Sequence, residues 1–269
     1  MPRPVFARPA LIGVVHLPAL PGAPRYERPD GLPLARVLER ATADARALAG
    51  EGCHALLVEN FGDVPFHAEH VPPESVAALA LAVAAVRAAA PGVAVGVNVL
   101  RNDARAALGV CAATGASFLR VNVLAGAAIT DQGLVQGRAA ELLRERARLA
   151  PEVALFADAH VKHATPLGRE SLAEAVEDLV SRALCDAVVV SGIATGRPPT
   201  AERVREAARA ARGAPVFVGS GLDLDNAAAL LEHAAGAIVG TALKFDGRVE
   251  EPVDPARVRA LRMRFDALR

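Results

Sequence analysis

The run FADAHVKH, residues 156–163, sets Asp158, His160 and Lys162 two positions apart. In an extended chain that spacing puts the three on one face, with Ala157, Ala159 and Val161 on the other. A carboxylate, an imidazole and an ammonium side by side are the parts of acid–base chemistry. Asp158 is read as a general base or nucleophile and His160 as a proton shuttle near neutral pH. Lys162 is read as the partner of an anion or, if desolvated, as a Schiff-base amine.

Other polar residues occur at matching points of other apolar runs. Glu59 and Asn60 close HALLVEN, His16 closes ALIGVVH, and Arg120 and Asn122 stand two apart in FLRVNV. The tetrapeptide VNVL occurs at 97–100 and again at 121–124, so Asn98 and Asn122 fall at the same late point of two successive runs. A buried carboxamide costs free energy unless it is hydrogen-bonded, so these amides either bind loop backbone or await a ligand. Glu59 joins Asp158, His160 and Lys162 as a catalytic candidate. His16, Asn60, Asn98, Arg120, Asn122, Ser191 and Thr195 are ligand-binding candidates. The competing reading is that Glu59, Asp158, Arg120 and Lys162 only neutralise one another. A divalent metal on Asp158, His160, His16 or Glu59 is a weak option, because no HxxE or HxH spacing supports it; no other cofactor is implied.

A third group is rich in glycine. Gly219-Ser220-Gly221 and Gly240-Thr241 each follow an apolar run, with Lys244 just beyond. Small residues let backbone N–H groups approach an anion closely, so these six residues are expected to hold a phosphate.

The elements that position these residues alternate regularly. Eight apolar runs, at 10–16, 54–60, 93–99, 118–123, 153–160, 186–192, 215–221 and 236–241, are separated by amphipathic stretches such as AEAVEDLVSRALC. Near-continuous apolar strands between helices predict a parallel sheet covered on both faces. Eight such units predict a single (β/α)8 TIM barrel over 1–269, with its site at the C-terminal strand ends and phosphate loops after strands 7 and 8. No GxGxxG follows the first strand, which disfavours the open doubly wound alternative.

Composition bounds the partners. The 30 Lys+Arg balance the 30 Asp+Glu, so no basic excess marks a nucleic-acid surface. Neither a signal peptide nor a membrane-spanning run is evident, and Cys53, Cys111 and Cys185 are isolated, so a reduced cytoplasmic protein is expected, as a homo-oligomer. Of the 30 basic residues only Lys162 and Lys244 are lysines.

The blocks GVVHLPALPGAPRY, VENFGDVPF, GVNVLRNDARAAL, RVNVLAGAAITDQG, FADAHVKHATPLG, VVSGIATGRPP and VGSGLDLDN…VGTALK resemble, in order, the BtpA/SgcQ family. The resemblance implies a barrel similar to the ribulose-phosphate-binding barrels. It also implies either of two roles. The family takes its name from a factor in photosystem I biogenesis, and other members in sugar-utilisation clusters carry a nucleosidase label, without an established reaction. The expected ligand is therefore a small phosphorylated molecule, a sugar phosphate or nucleotide-like, acted on by hydrolysis or lyase-type proton transfer. The alternative is a non-enzymatic assembly factor with photosystem I components as partners.

Overall fold

The computed structural model describes residues 6, 9–26, 33–168, 171–192 and 197–268. Eight parallel strands close into a barrel: β1 (Ala10–His16), β2 (Ala55–Glu59), β3 (Ala94–Asn98), β4 (Phe118–Val121), β7 (Ala154–Ala159), β9 (Ala187–Val190), β10 (Val216–Val218) and β11 (Gly236–Val239). They lie in chain order, β11 pairing back onto β1 through Ala10↔Gly236 to Gly13↔Val239. Eight helices follow them: α1 (Pro33–Gly50), α2 (Pro73–Ala89), α3 (Ala104–Thr114), α4 (Ala139–Leu149), α5 (Leu172–Ser181), α6 (Ala201–Ala210), α7 (Ala227–Leu231) and α8 (Pro255–Asp266). The eight-unit barrel expected from the alternating runs is the observed fold.

One element was not expected. Strands β5 (Ala127–Thr130), β6 (Gly133–Gln136) and β8 (Ala164–Pro166) form a separate antiparallel sheet, ordered β6-β5-β8. It joins the loop after β4 to the loop after β7. AAITDQGLVQ is short and weakly apolar, so its pairing is decided by the partner loop and not by its own pattern.

Period-two alternation sorts the barrel side chains into two cores. Ile12, Val14, Leu57, Phe118, Phe156, Val189, Phe217 and Ile238 fill the interior. Phe6 closes the lower end edge-on, with ring centroids 5.8 Å from Phe118 and 6.2 Å from Phe156. Gly96 is required opposite this stack, since a Cβ there would lie 2.3 Å from the Phe118 ring. Outward residues such as Leu56, Val58, Val97, Leu119 and Val190 pack under the helices.

Helix starts follow their sequence signals. Ser171 and Glu174 form a reciprocal capping box on α5, and Thr200 and Asp254 accept amide hydrogens at α6 and α8. Among the described residues no helix is long and apolar enough to cross a membrane.

Candidate functional site

The alternation that fills the interior with apolar groups changes character at its top layer. Strand register sets His16 beside Glu59, Glu59 beside Asn98, and Asn98 beside Arg120, one residue from each of β1 to β4. Two residues beyond Phe156, Asp158 rises from β7 into the same layer.

The two amides of the repeated VNVL orient carboxylates. Asn98 Nδ2 donates to Glu59 Oε1 at 2.6 Å, and Asn122 Nδ2 donates to Asp158 Oδ2 at 2.9 Å. Arg120 grips Asp158 from the other side, with Nε to Oδ1 and Nη2 to Oδ2 both at 2.9 Å. Burial opposes the charge of Arg120, but Asp158 more than offsets it and holds the guanidinium above its ordinary pKa.

Two cavities open over this layer and share Glu59, Arg120 and Lys162 as their common floor. The first, of about 270 Å³, lies under the glycine loops, with Gly219–Asp223, Gly240–Ala242, His16 and Arg257 around it. The second, of about 590 Å³, has an apolar wall of Phe61, Val64, Phe66 and Leu100. Asn98, Asn122, Arg101, Asp131 and His163 face that wall.

The ionisation of the floor is set by burial. Desolvation pulls Lys162 below its usual value of 10.5, aided by Arg120 and Arg101 and opposed by Glu59 and Asp158. His16 is held well below 6.5, first by burial and then by Lys244, Lys162, Arg40 and Arg120, so its imidazole is neutral at pH 7. Its Nε2 stands 3.7 Å from Glu59 Oε2, its ring meets Phe61 at 4.7 Å, and Gly240 leaves it room, a Cβ there falling 2.4 Å from the ring.

Several expectations are corrected. Strand β7 ends at Ala159 and His160 takes φ 52°, so the predicted alternation breaks before Lys162. Lys162 still reaches the mouth, whereas His160 lines a smaller crevice beside α5 with Asn122, Asp158, Ala175, Asp178 and Leu179, so it stays near Asp158 but parts from Lys162. Asp158 is no free base, because Arg120 and Asn122 occupy both its oxygens. Asn60 is not at the mouth: its Oδ1 accepts the Leu100 N–H at 2.7 Å and its Nδ2 donates to Asp63 Oδ2 at 3.0 Å, clamping two loops. Lys244 leaves the phosphate group of residues altogether, since it is fully buried with Nζ 2.6 Å from Asp44 Oδ2.

The glycine loops are corrected in part. Gly219 spends its N–H on Val190 O at 2.8 Å. Gly221, at φ 74°, packs against the next loop, where a Cβ would lie 2.2 Å from Pro198 N. Ser191 sits beneath, 1% exposed, its hydroxyl without a hydrogen-bond partner among the described residues. Thr195 lies outside the described residues. Among those described, no group of three or more His, Cys, Asp or Glu is placed to hold a metal ion, so the four residues weighed for one are not gathered.

Sequence reasoning missed Arg101 and Arg257. Arg101 follows the first VNVL directly, and its position three residues past the end of β3 was a usable signal. Arg257 enters from α8, far from the glycine loops in sequence, and no local pattern marks it.

Fold and site together define a (β/α)8 barrel with a polar, two-lobed mouth at the C-terminal ends of its strands. The chain belongs to the BtpA family, whose model matches residues 7–266. It is 48% identical to "Photosystem I biogenesis protein BtpA" of Synechocystis sp. over 93% of this chain and 85% of that one. It is 46% identical to an uncharacterized protein of Thermococcus kodakarensis over 95% of each. Among solved structures, (S)-3-O-geranylgeranylglyceryl phosphate synthase from Thermoplasma acidophilum matches with TM-score 0.57 and 14% identity, over 97% of this chain and 94% of that one.

Proposed function

We propose that the mouth binds a small phosphorylated ligand, a sugar phosphate or nucleotide-like molecule, and that the protein is an enzyme acting on it. The observation that carries this reading is the continuity of the two lobes. A cavity rimmed by glycine loops and Arg257 opens directly onto Glu59, Arg120 and Lys162. The amides of Ser220, Gly221, Gly240 and Thr241 supply the phosphate end. Glu59, oriented by Asn98 and beside a neutral imidazole, is the general base or acid. Lys162, whose burial favours the neutral amine, is the anion partner or Schiff-base amine. Asp158 positions Arg120. The reaction is of hydrolase or lyase type. The solved synthase of the same fold, recorded with sn-glycerol-1-phosphate as substrate, agrees with such a ligand.

Mass spectrometry of small molecules released from the purified protein tests this reading; a phosphorylated compound at stoichiometric amount is expected. Lys162→Arg, too bulky for the floor, is expected to lose that compound while the barrel stays folded. Borohydride trapping with the released compound then separates the roles of Lys162, an adduct meaning Schiff base. A native protein that carries no phosphorylated compound and binds none overturns the reading.

The name of the Synechocystis relative favours a second reading, a factor in photosystem I biogenesis. The Thermococcus kodakarensis relative is nearly as similar and carries no such name, so this degree of likeness does not by itself carry that role.

A further inference from the structure

The second lobe contains a mismatch of charge. Arg101 is 5% exposed, yet among the described residues no carboxylate oxygen lies within 4.0 Å of its guanidinium. Among the described residues its one side-chain hydrogen bond goes to a neutral carbonyl, from Nη2 to Lys162 O at 2.6 Å. Lys162, in the same wall, also has no carboxylate within 4.0 Å among the described residues.

Buried cations elsewhere in this chain are treated otherwise. Arg120 is matched to Asp158, Arg146 to Asp186 at 2.6 Å and Lys244 to Asp44 at 2.6 Å. A buried charge without a partner is destabilising, and natural folds keep one where something else supplies the counter-charge. Asp158, Asp131 and Glu59 favour the charge of Arg101 through space, but among the described residues none of them contacts it. Asp158 is held by Arg120 and Asn122, Glu59 has Oε1 on Asn98 and Oε2 towards His16, and Asp131 is exposed at the rim with its Oδ2 on Gln132. A guanidinium with most of its N–H groups unspent, next to an ammonium, is shaped for an oxyanion.

We propose that Arg101 and Lys162 form a second oxyanion subsite, so that the ligand carries an anionic group at each end. Its phosphate lies under the glycine loops, and a carboxylate or second phosphate lies against Arg101. This rests on the reading of the mouth as a phosphate-ligand site and narrows its substrate class to a phosphorylated sugar acid or a sugar bisphosphate. Arg101 reads the second group; Glu59 and the carbon chain lie between the two ends.

Titration calorimetry with defined probes tests it. The probes are glucitol 6-phosphate, which has one anionic end, 6-phosphogluconate, which adds a carboxylate, and fructose 1,6-bisphosphate, which adds a phosphate. The full-length protein is expected to bind at least one two-ended probe tenfold or more tighter than glucitol 6-phosphate, and the tighter of the two names the second group. In Arg101→Gln that advantage is expected to vanish while the affinity for glucitol 6-phosphate stays the same. Equal affinities for all three probes in the unaltered protein overturn the second subsite alone. Binding of none of them overturns the phosphate reading and this proposal with it. If Arg101→Gln fails to fold, the comparison among probes on the unaltered protein still decides, and Arg101→Met, which keeps the length of the side chain, gives the second variant.

Discussion

The chain's two lysines occupy opposite environments. Lys244 is fully buried and Lys162 half-buried, and desolvation lowers the pKa of each. Lys244 is fully buried outside the barrel, its ammonium on Asp44 of α1, whose other oxygen accepts the Val253 N–H at 2.8 Å. That contact joins the turn after β11 to α1, tying the last unit to the first where the barrel closes. Lys162 instead stands on the floor of the mouth, with no carboxylate within 4.0 Å among the described residues. An identical side chain is thus a finished structural contact in one region and an unfinished one in the other. In a chain that otherwise uses arginine for positive charge, lysine is kept where a compact ammonium fits and a planar guanidinium does not.

The contrast is broken most severely at the closed pair. Asp44→Ala leaves Lys244 as a buried charge without a partner and Val253 with an unmatched amide. A loss of ~3–5 kcal/mol is expected by chemical denaturation. Adding Lys244→Met should return a large part of that loss, because the stranded charge is gone. Ligand affinity should not change in the double variant, since neither residue lines the mouth.

The same exchange at the open lysine should act the other way. Lys162→Met removes a half-buried ammonium that has no carboxylate within 4.0 Å among the described residues, so the thermal midpoint is expected to hold or rise. Affinity for a phosphorylated ligand should fall about ten- to hundredfold, the equivalent of one charge-assisted hydrogen bond of ~1.5–3 kcal/mol. A destabilised Lys162→Met with undiminished binding would make the two lysines alike and remove Lys162 from the site.

These two fates also mark what the sequence discloses. The barrel was legible because its strands are apolar runs at regular intervals, and the layer of polar ends was legible because strand alternation has a period of two. His16, Glu59, Asn98 and Arg120 follow from that period alone. Legibility stopped where the period stopped. His160 parted from Lys162 because its backbone turns to positive φ, which no residue type there announces. Lys244 was misplaced for a different reason. Its position three residues past a glycine loop suggested a phosphate, but its partner Asp44 lies 200 residues earlier, and such long-range pairing has no local pattern. Arg101 lay in plain view in VNVLRND, yet its importance comes from having no carboxylate in contact among the described residues, which is a property of three-dimensional neighbours.

The finest distinction between the lysines is read at His16, whose imidazole feels both of them, Lys244 more than Lys162. Burial is the larger cause of its lowered pKa, and the sign of the consequence follows directly. Below pH 6.5 the unfolded imidazole takes up a proton that the folded one refuses, so the unfolded state binds more protons and stability falls as pH falls. The slope is about 1.4 kcal/mol per pH unit until the folded His16 titrates too, or the barrel opens. Removing either ammonium lets the folded imidazole accept its proton at a higher pH and shortens that window from below. In Lys162→Met the His16 resonances, followed by NMR across a pH titration, should move their midpoint towards 6.5 without reaching it, since burial remains. In Lys244→Met the displacement should be larger. A His16 titration indifferent to Lys162 but responsive to Lys244 would mean that the ammonium at the mouth is turned away from the floor, and the unfinished contact would then belong to Arg101 alone.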